Sequence, residues 1–106
     1  MRYVVLHHRG ITHPHYDLMV EMSGGSGLAT WRCPQWPPRP GDSFTPLGIH
    51  RREYLTFEGP VSGDRGEVNR IAEGDCAITS DNGSHVTVIF SKDFQLQLSK
   101  ADAGKK

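Results

Sequence analysis

The sequence predicts an all-β domain, an antiparallel barrel or sandwich, and three observations lead there. Several segments alternate apolar and polar residues with period two, most clearly His15 to Met22 and Phe94 to Ser99. Turn residues recur between them: twelve glycines and seven prolines stand among 106 residues. No segment carries the spacing of a long amphipathic helix.

Taken in order, Tyr3 to His8 is β-branched and aromatic and reads as the first strand. Arg9 to Pro14 is a loop punctuated by Gly10 and Pro14. In His15 to Met22, Tyr16, Leu18, Val20 and Met22 share one face, and His15, Asp17, Met19 and Glu21 the other. Gly24-Gly25-Ser26-Gly27 turns the chain into a partner strand, Leu28 to Cys33. Pro34 to Pro46 holds five of the seven prolines and reads as irregular loop. Leu47 to Phe57 fits either a strand or extended chain with a short helical turn. Glu58 to Gly66 reads as loop, and Val68 to Ile71 as a short strand. Cys76 to Thr79 and Val86 to Phe90 flank the hairpin turn Asp81-Asn82-Gly83. In the last strand Phe94, Leu96 and Leu98 form the buried face. The length suits one domain over residues 1–100, with 101–106 as a disordered tail.

Twelve basic residues balance twelve acidic ones, so net charge points to no nucleic-acid partner. No apolar run approaches a membrane span, and the apolar stretch after Met1 is too short for a signal peptide. A cytoplasmic protein is expected. Cys33 and Cys76 form no Cys-x-x-Cys pair and read as small buried hydrophobes. Trp31 and Trp36 read as packing residues, and His85 as facing solvent. The glycines around Gly63 and Gly66 lack the Gly-Lys-Ser/Thr ending of a P-loop.

Two clusters can carry chemistry. His15 and Asp17, two apart on a strand, can reach one metal ion, and a residue such as His8 on a neighbouring strand can complete a two-His, one-carboxylate site. Such a site suits manganese, iron or zinc. The competing reading is a polar strand face with histidines by chance. In His50-Arg51-Arg52-Glu53-Tyr54, His50 and Tyr54 share a face in either conformation; both can donate to a phosphate oxygen, and His50 can act as a general acid. Arg51 and Arg52 add positive charge. Here the competing reading is an exposed polar turn with a half-buried tyrosine.

Together these pieces resemble the 3'-phosphoesterase domain of bacterial DNA ligase D. Tyr3 to His8 is similar to the family's first strand, which ends in a histidine at His8. His15-Tyr16-Asp17 and Glu21 match its His-Tyr-Asp-x-x-x-Glu strand. Trp31-Arg32-Cys33-Pro34 resembles its Trp-Ala-Val-Pro, and His50, Tyr54 and Phe57-Glu58-Gly59 match its His-x-x-x-Tyr-x-x-Phe-Glu-Gly. The resemblance runs in order from Tyr3 to about Thr79.

The resemblance implies a small antiparallel β-barrel with a central crevice and long loops. It implies a divalent metal, manganese before zinc, held by His8, His15 and Asp17. It implies catalytic roles for His50, Tyr54, His15 and Asp17, with His50, Tyr54 and Arg52 at the phosphate. The implied substrates are DNA or RNA 3' ends, cleared of 3'-phosphates or terminal ribonucleosides during repair, in concert with separate ligase or end-joining proteins. The second reading is a catalytically impaired barrel that binds phosphate or nucleic-acid ends.

The chain departs from the family at three places. Met19 stands where the family has a phosphate-contacting arginine, so Met19→Arg is expected to raise activity if the pocket still has room. The loop between His8 and His15 is one residue longer, which makes His7 and His13 competing ligands. Gln35 replaces a lysine. Arg9, Arg51 and Arg52 are the candidates to compensate.

Overall fold

The computed structural model describes residues 1–22, 25, 27–61, 63 and 65–100. Among the described residues nine strands form two antiparallel sheets: β1 (Arg2–Arg9), β2 (His15–Glu21), β3 (Leu28–Cys33), β4 (Thr45–Pro46), β5 (Gly59–Pro60), β6 (Glu67–Asp75), β7 (Ala77–Asp81), β8 (His85–Ser91) and β9 (Phe94–Ser99). The larger sheet runs β4-β3-β2-β1-β6-β5 and the smaller β7-β8-β9. The all-β expectation holds. Among the described residues no strand pairing closes either sheet into a barrel.

The central hairpins follow from alternation. β1 and β2 pair from Tyr3↔Val20 to His8↔His15, and β2 pairs with β3 from Tyr16↔Cys33 to Glu21↔Leu28. Directly paired residues point to the same side of a sheet. Val5, Leu18, Val20 and Trp31 therefore face the smaller sheet, where they pack with Cys76, Val86, Val88 and Leu98. The Trp31 indole N–H reaches across to the Ser99 carbonyl at 2.6 Å, tying β3 to β9.

The other face of the larger sheet is covered too. After His50, which bridges Leu28, the chain makes one 3-10 turn at Arg52–Leu55 and crosses to β5 on the far edge. This strap lays Leu55, Tyr54, Phe57 and Val61 on Val4, Leu6, Met19, Leu28 and Val68. Leu55 is buried, and truncating such a leucine costs about 2–5 kcal/mol. The four residues Asp17 to Val20 are consequently all buried, although strict alternation by itself suggests one solvated face.

β6 is longer than the short strand expected at Val68 to Ile71. Nothing in Ala72-Glu73-Gly74 has high strand propensity, but pairing with the whole length of β1 imposes it, and the Tyr3 ring lies against Gly74. Arg70, two residues from the His8 partner Val68, lies on the face that carries His8 and Asp17, and a bulge at Ile71 then shifts the register between the pairs Leu6↔Arg70 and Val5↔Ala72. Glu58 to Gly66 contains β5 as well as loop, because Gly59 and Pro60 find partners on β6. The segment from Leu47 to Phe57 resolves into extended chain followed by the 3-10 turn.

β7 and β8 form the expected hairpin, and Asn82 caps its turn through bonds from the Ser84 and His85 amides. Both cysteines are buried and free, Trp36 packs against Phe90 and Phe94, and His85 is exposed. The tail expected at 101–106 lies outside the described residues, as do three positions around the expected glycine turn, 23, 24 and 26. No helix among the described residues is long and apolar enough to cross a membrane.

Candidate metal centre

His8 and His15 are directly paired across β1 and β2, and Asp17 lies two residues on from His15 along the same face. One ligand atom from each residue lies within 4.8 Å of the other two. Two ligands about 2.1 Å from one ion stand at most about 4.2 Å apart. Around a tetrahedral ion the same ligands stand about 3.4 Å apart, so the widest pair closes by on the order of 1 Å when an ion seats. This is the one such group of three donors among the described residues.

The hydrogen bonds around the group set which nitrogens are free. The His15 Nδ1 stands 3.0 Å from the His13 carbonyl oxygen. A carbonyl only accepts, so Nδ1 carries the proton and neutral His15 presents its lone pair at Nε2. That Nε2 is buried, has no hydrogen-bond partner and lies 3.5 Å from Asp17 Oδ2. His8 Nε2 donates to the Arg65 carbonyl at 2.6 Å, which leaves its Nδ1 as the lone-pair nitrogen.

Asp17 is 6 % exposed, and its Oδ1 is buried without a hydrogen bond, with Arg32 Nε 3.5 Å away. A buried acceptor left unpaired costs about 1–3 kcal/mol, more when charged. The His15 lone pair meets Asp17 Oδ2, and Oδ1 of the same carboxylate is buried without a hydrogen bond, an arrangement that a cation between imidazole and carboxylate relieves. The donor set is two imidazoles and a carboxylate, which suits manganese, iron or zinc. The triad can therefore hold a divalent ion.

The competing histidines do not join the group. His7 follows the strand alternation to the opposite face, where it stacks on Tyr16 with ring centroids 4.4 Å apart. His13 contributes its carbonyl to His15 and its side chain is exposed.

His50 and Tyr54 are brought ring to ring, centroids 6.1 Å apart, and His50 Nδ1 donates to the Gly48 carbonyl at 3.0 Å. His50 bridges Leu28, four residues along β3 from Arg32, which pairs with Asp17. That is roughly 13 Å of strand. Among the described residues no hydrogen bond, ion pair or ring contact joins His50 or Tyr54 to the triad. Tyr54 lines a cleft of about 200 Å³ with Arg51, Phe57, Val61 and Arg65, and it is Arg65 whose carbonyl holds His8.

The expected phosphate cations are engaged elsewhere. Arg52 pairs with Glu21 at 2.8 Å, Arg51 with Glu53 at 3.2 Å and Arg9 with Glu67 at 2.8 Å. The Arg2 backbone N–H and the Arg52 guanidinium hold the Glu21 carboxyl below the usual carboxylate range. Met19 is 2 % exposed within the apolar cluster beneath the strap. An arginine placed there enters a packed core, so the room on which the expected gain from Met19→Arg depends is taken up by the strap.

Two residues near the triad escaped the sequence reading. Arg32 projects beside Asp17. Counting outward from the turn between β2 and β3 pairs these two residues, so the hairpin itself held the signal. Arg70 pairs with Leu6 on the same face, has a buried unpartnered Nη1 and lies near Glu58 and Glu73. Its face follows by alternation from Val68, the partner of His8, but the register of β6 on β1 was not marked in the sequence. Comparison with family models and with curated proteins finds no match for this chain.

Proposed function

We propose that this protein is a divalent-metal-dependent phosphoesterase, active in the cytoplasm, that removes 3'-phosphate or 3'-ribonucleoside groups from nucleic-acid ends in DNA repair. The observation that carries this reading is the pair of buried, unpartnered atoms His15 Nε2 and Asp17 Oδ1 in a group with His8. Manganese is the ion proposed, with zinc as the alternative. The ordered resemblance to the ligase D phosphoesterases, from Tyr3 to about Thr79, supplies the substrate class. The six-stranded sheet with its strap is taken as the counterpart of that family's barrel.

A bound divalent ion supplies charge for the phosphoryl oxygens and a more acidic water. His8, His15 and Asp17 hold it on a rigid hairpin, and the His13 and Arg65 carbonyls fix the two rings. His50, with Nδ1 tied to Gly48, presents Nε2 as donor to a phosphate oxygen or leaving group when protonated. The Tyr54 hydroxyl is the second donor. In this role the strap must bring both side chains toward the triad once the substrate is seated.

A second reading, a phosphate- or end-binding module without catalysis, is favoured by one observation. No contact among the described residues links His50 or Tyr54 to the triad, and Arg52 is paired with Glu21. A manganese-dependent assay on a 3'-phosphorylated primer separates the two. Turnover that His50→Ala reduces by about 10²–10³ with manganese binding retained supports the enzyme. Manganese binding with primer retention but no turnover supports the module.

A further inference from the structure

The Arg32 guanidinium is placed unlike its neighbours. Arg2, Arg9, Arg51, Arg52 and Arg70 each turn an Nη group toward a glutamate. Arg32 turns only the edge of its fork, Nε, toward Asp17, at 3.5 Å, and among the described residues its two Nη groups have no partner. Its side chain is 46 % exposed and that of Asp17 8 %, so the fork opens to solvent at the rim of the triad.

We propose that Arg32 and the metal of the triad form a two-point site for a dianionic phosphate monoester. The inference rests on the proposed metal site and adds to it the residue that grips the substrate and the charge state selected. Asp17 cancels one of the two charges of a divalent ion, and the neutral imidazoles cancel none. Arg32 restores the cancelled charge. The site then carries two positive charges, which balance a terminal phosphate monoester, dianionic above its second pKa near 6. A phosphodiester, with one negative charge, leaves the site under-neutralised. The free Nη pair offers two parallel donors to two phosphoryl oxygens, a geometry that a lysine cannot reproduce.

The selection therefore falls on ends that carry a terminal phosphate, ahead of ends closed by a diester-linked ribonucleoside. Arg32 sits at a rim position of β3, so it can serve this role without entering the core that encloses Met19.

The test uses the manganese-loaded chain at pH 8, with methyl phosphate and dimethyl phosphate as probes, read by broadening of their phosphorus resonances beside the paramagnetic ion. The wild type should bind methyl phosphate at least about tenfold more tightly than dimethyl phosphate. Arg32→Gln should keep manganese affinity and lose that preference, and Arg32→Lys should recover part of it. Equal affinity for the two probes in the wild type overturns the proposal, as does an unchanged preference in Arg32→Gln with manganese bound. A wild-type protein that takes up no manganese overturns the metal reading, and this proposal with it.

Discussion

His8 and His15 face each other across β1 and β2, their rings edge to face with centroids 5.0 Å apart. The two imidazoles are held by a strand pair and not by a loop, so the pair exists before any ligand arrives. Pre-positioned ligands lose little conformational entropy on binding. The cost falls on the apo protein, which keeps Asp17 buried with an unpartnered oxygen.

That cost is measurable. Asn in place of Asp17 removes the buried charge and offers an amide N–H to the lone pair of His15 Nε2, 3.5 Å from the present carboxylate. In urea denaturation with a chelator present, Asp17→Asn should be as stable as wild type or up to about 2 kcal/mol more stable. Adding manganese should stabilise the wild type and leave the variant unmoved. A variant several kcal/mol weaker without metal would make Asp17 an ordinary structural partner of Arg32 and His15.

Met19→Arg places a cation among Val4, Leu6, Leu28 and Leu55. Its cross-strand neighbours Val4 and Thr30 offer no counter-charge. The variant should lose about 3 kcal/mol or more, or displace the strap, and should gain no phosphate affinity. Denaturant midpoints together with phosphate titration decide it. Wild-type stability combined with tighter phosphate binding would show that the strap leaves room at position 19.

The sequence made the triad legible because its logic is local. Two residues apart on one strand is one face, and His8 needed only the register of an adjacent strand. The exclusion of His7 follows from the same alternation, since its neighbour His8 takes the site face. Arg32 was legible in principle through the hairpin count but was absorbed into a Trp-x-x-Pro pattern. The strap was not legible. The packing that fixes it, Leu55 in one cluster with Val4 and Leu6, joins residues far apart in sequence and leaves no periodic trace. For that reason the burial of Met19, and the separation of His50 from Asp17, emerge only from the fold. β6 beyond Ile71 is a tertiary product as well: β1 extends it against the preferences of Gly74 and Glu73.

Cys33 gives a pH-dependent check on the buried end of β3. Burial first, then the nearby Asp17 and Asp42 carboxylates, push its thiol from an ordinary 9.0 up to about 12. Above pH 9 the unfolded chain releases this proton while the folded chain retains it, so the unfolded state gains and stability falls as pH rises toward 12. Below pH 9 both states hold the proton and the effect vanishes. Wild type should therefore lose stability between pH 9 and 11 more steeply than Cys33→Ala, and its thiol should resist alkylation until the chain unfolds. Parallel pH profiles for the two proteins would place Cys33 in contact with water.

The most direct test of the metal centre is a calorimetric titration of manganese, then zinc, into the apo wild type, Asp17→Asn and His7→Ala. His7 stacks on Tyr16 on the opposite face of β1, so it controls for removal of a histidine as such. The account predicts one site in the wild type, the same site in His7→Ala, and about 100-fold weaker binding or none in Asp17→Asn. Unchanged affinity in Asp17→Asn, or loss of the site in His7→Ala, would contradict it.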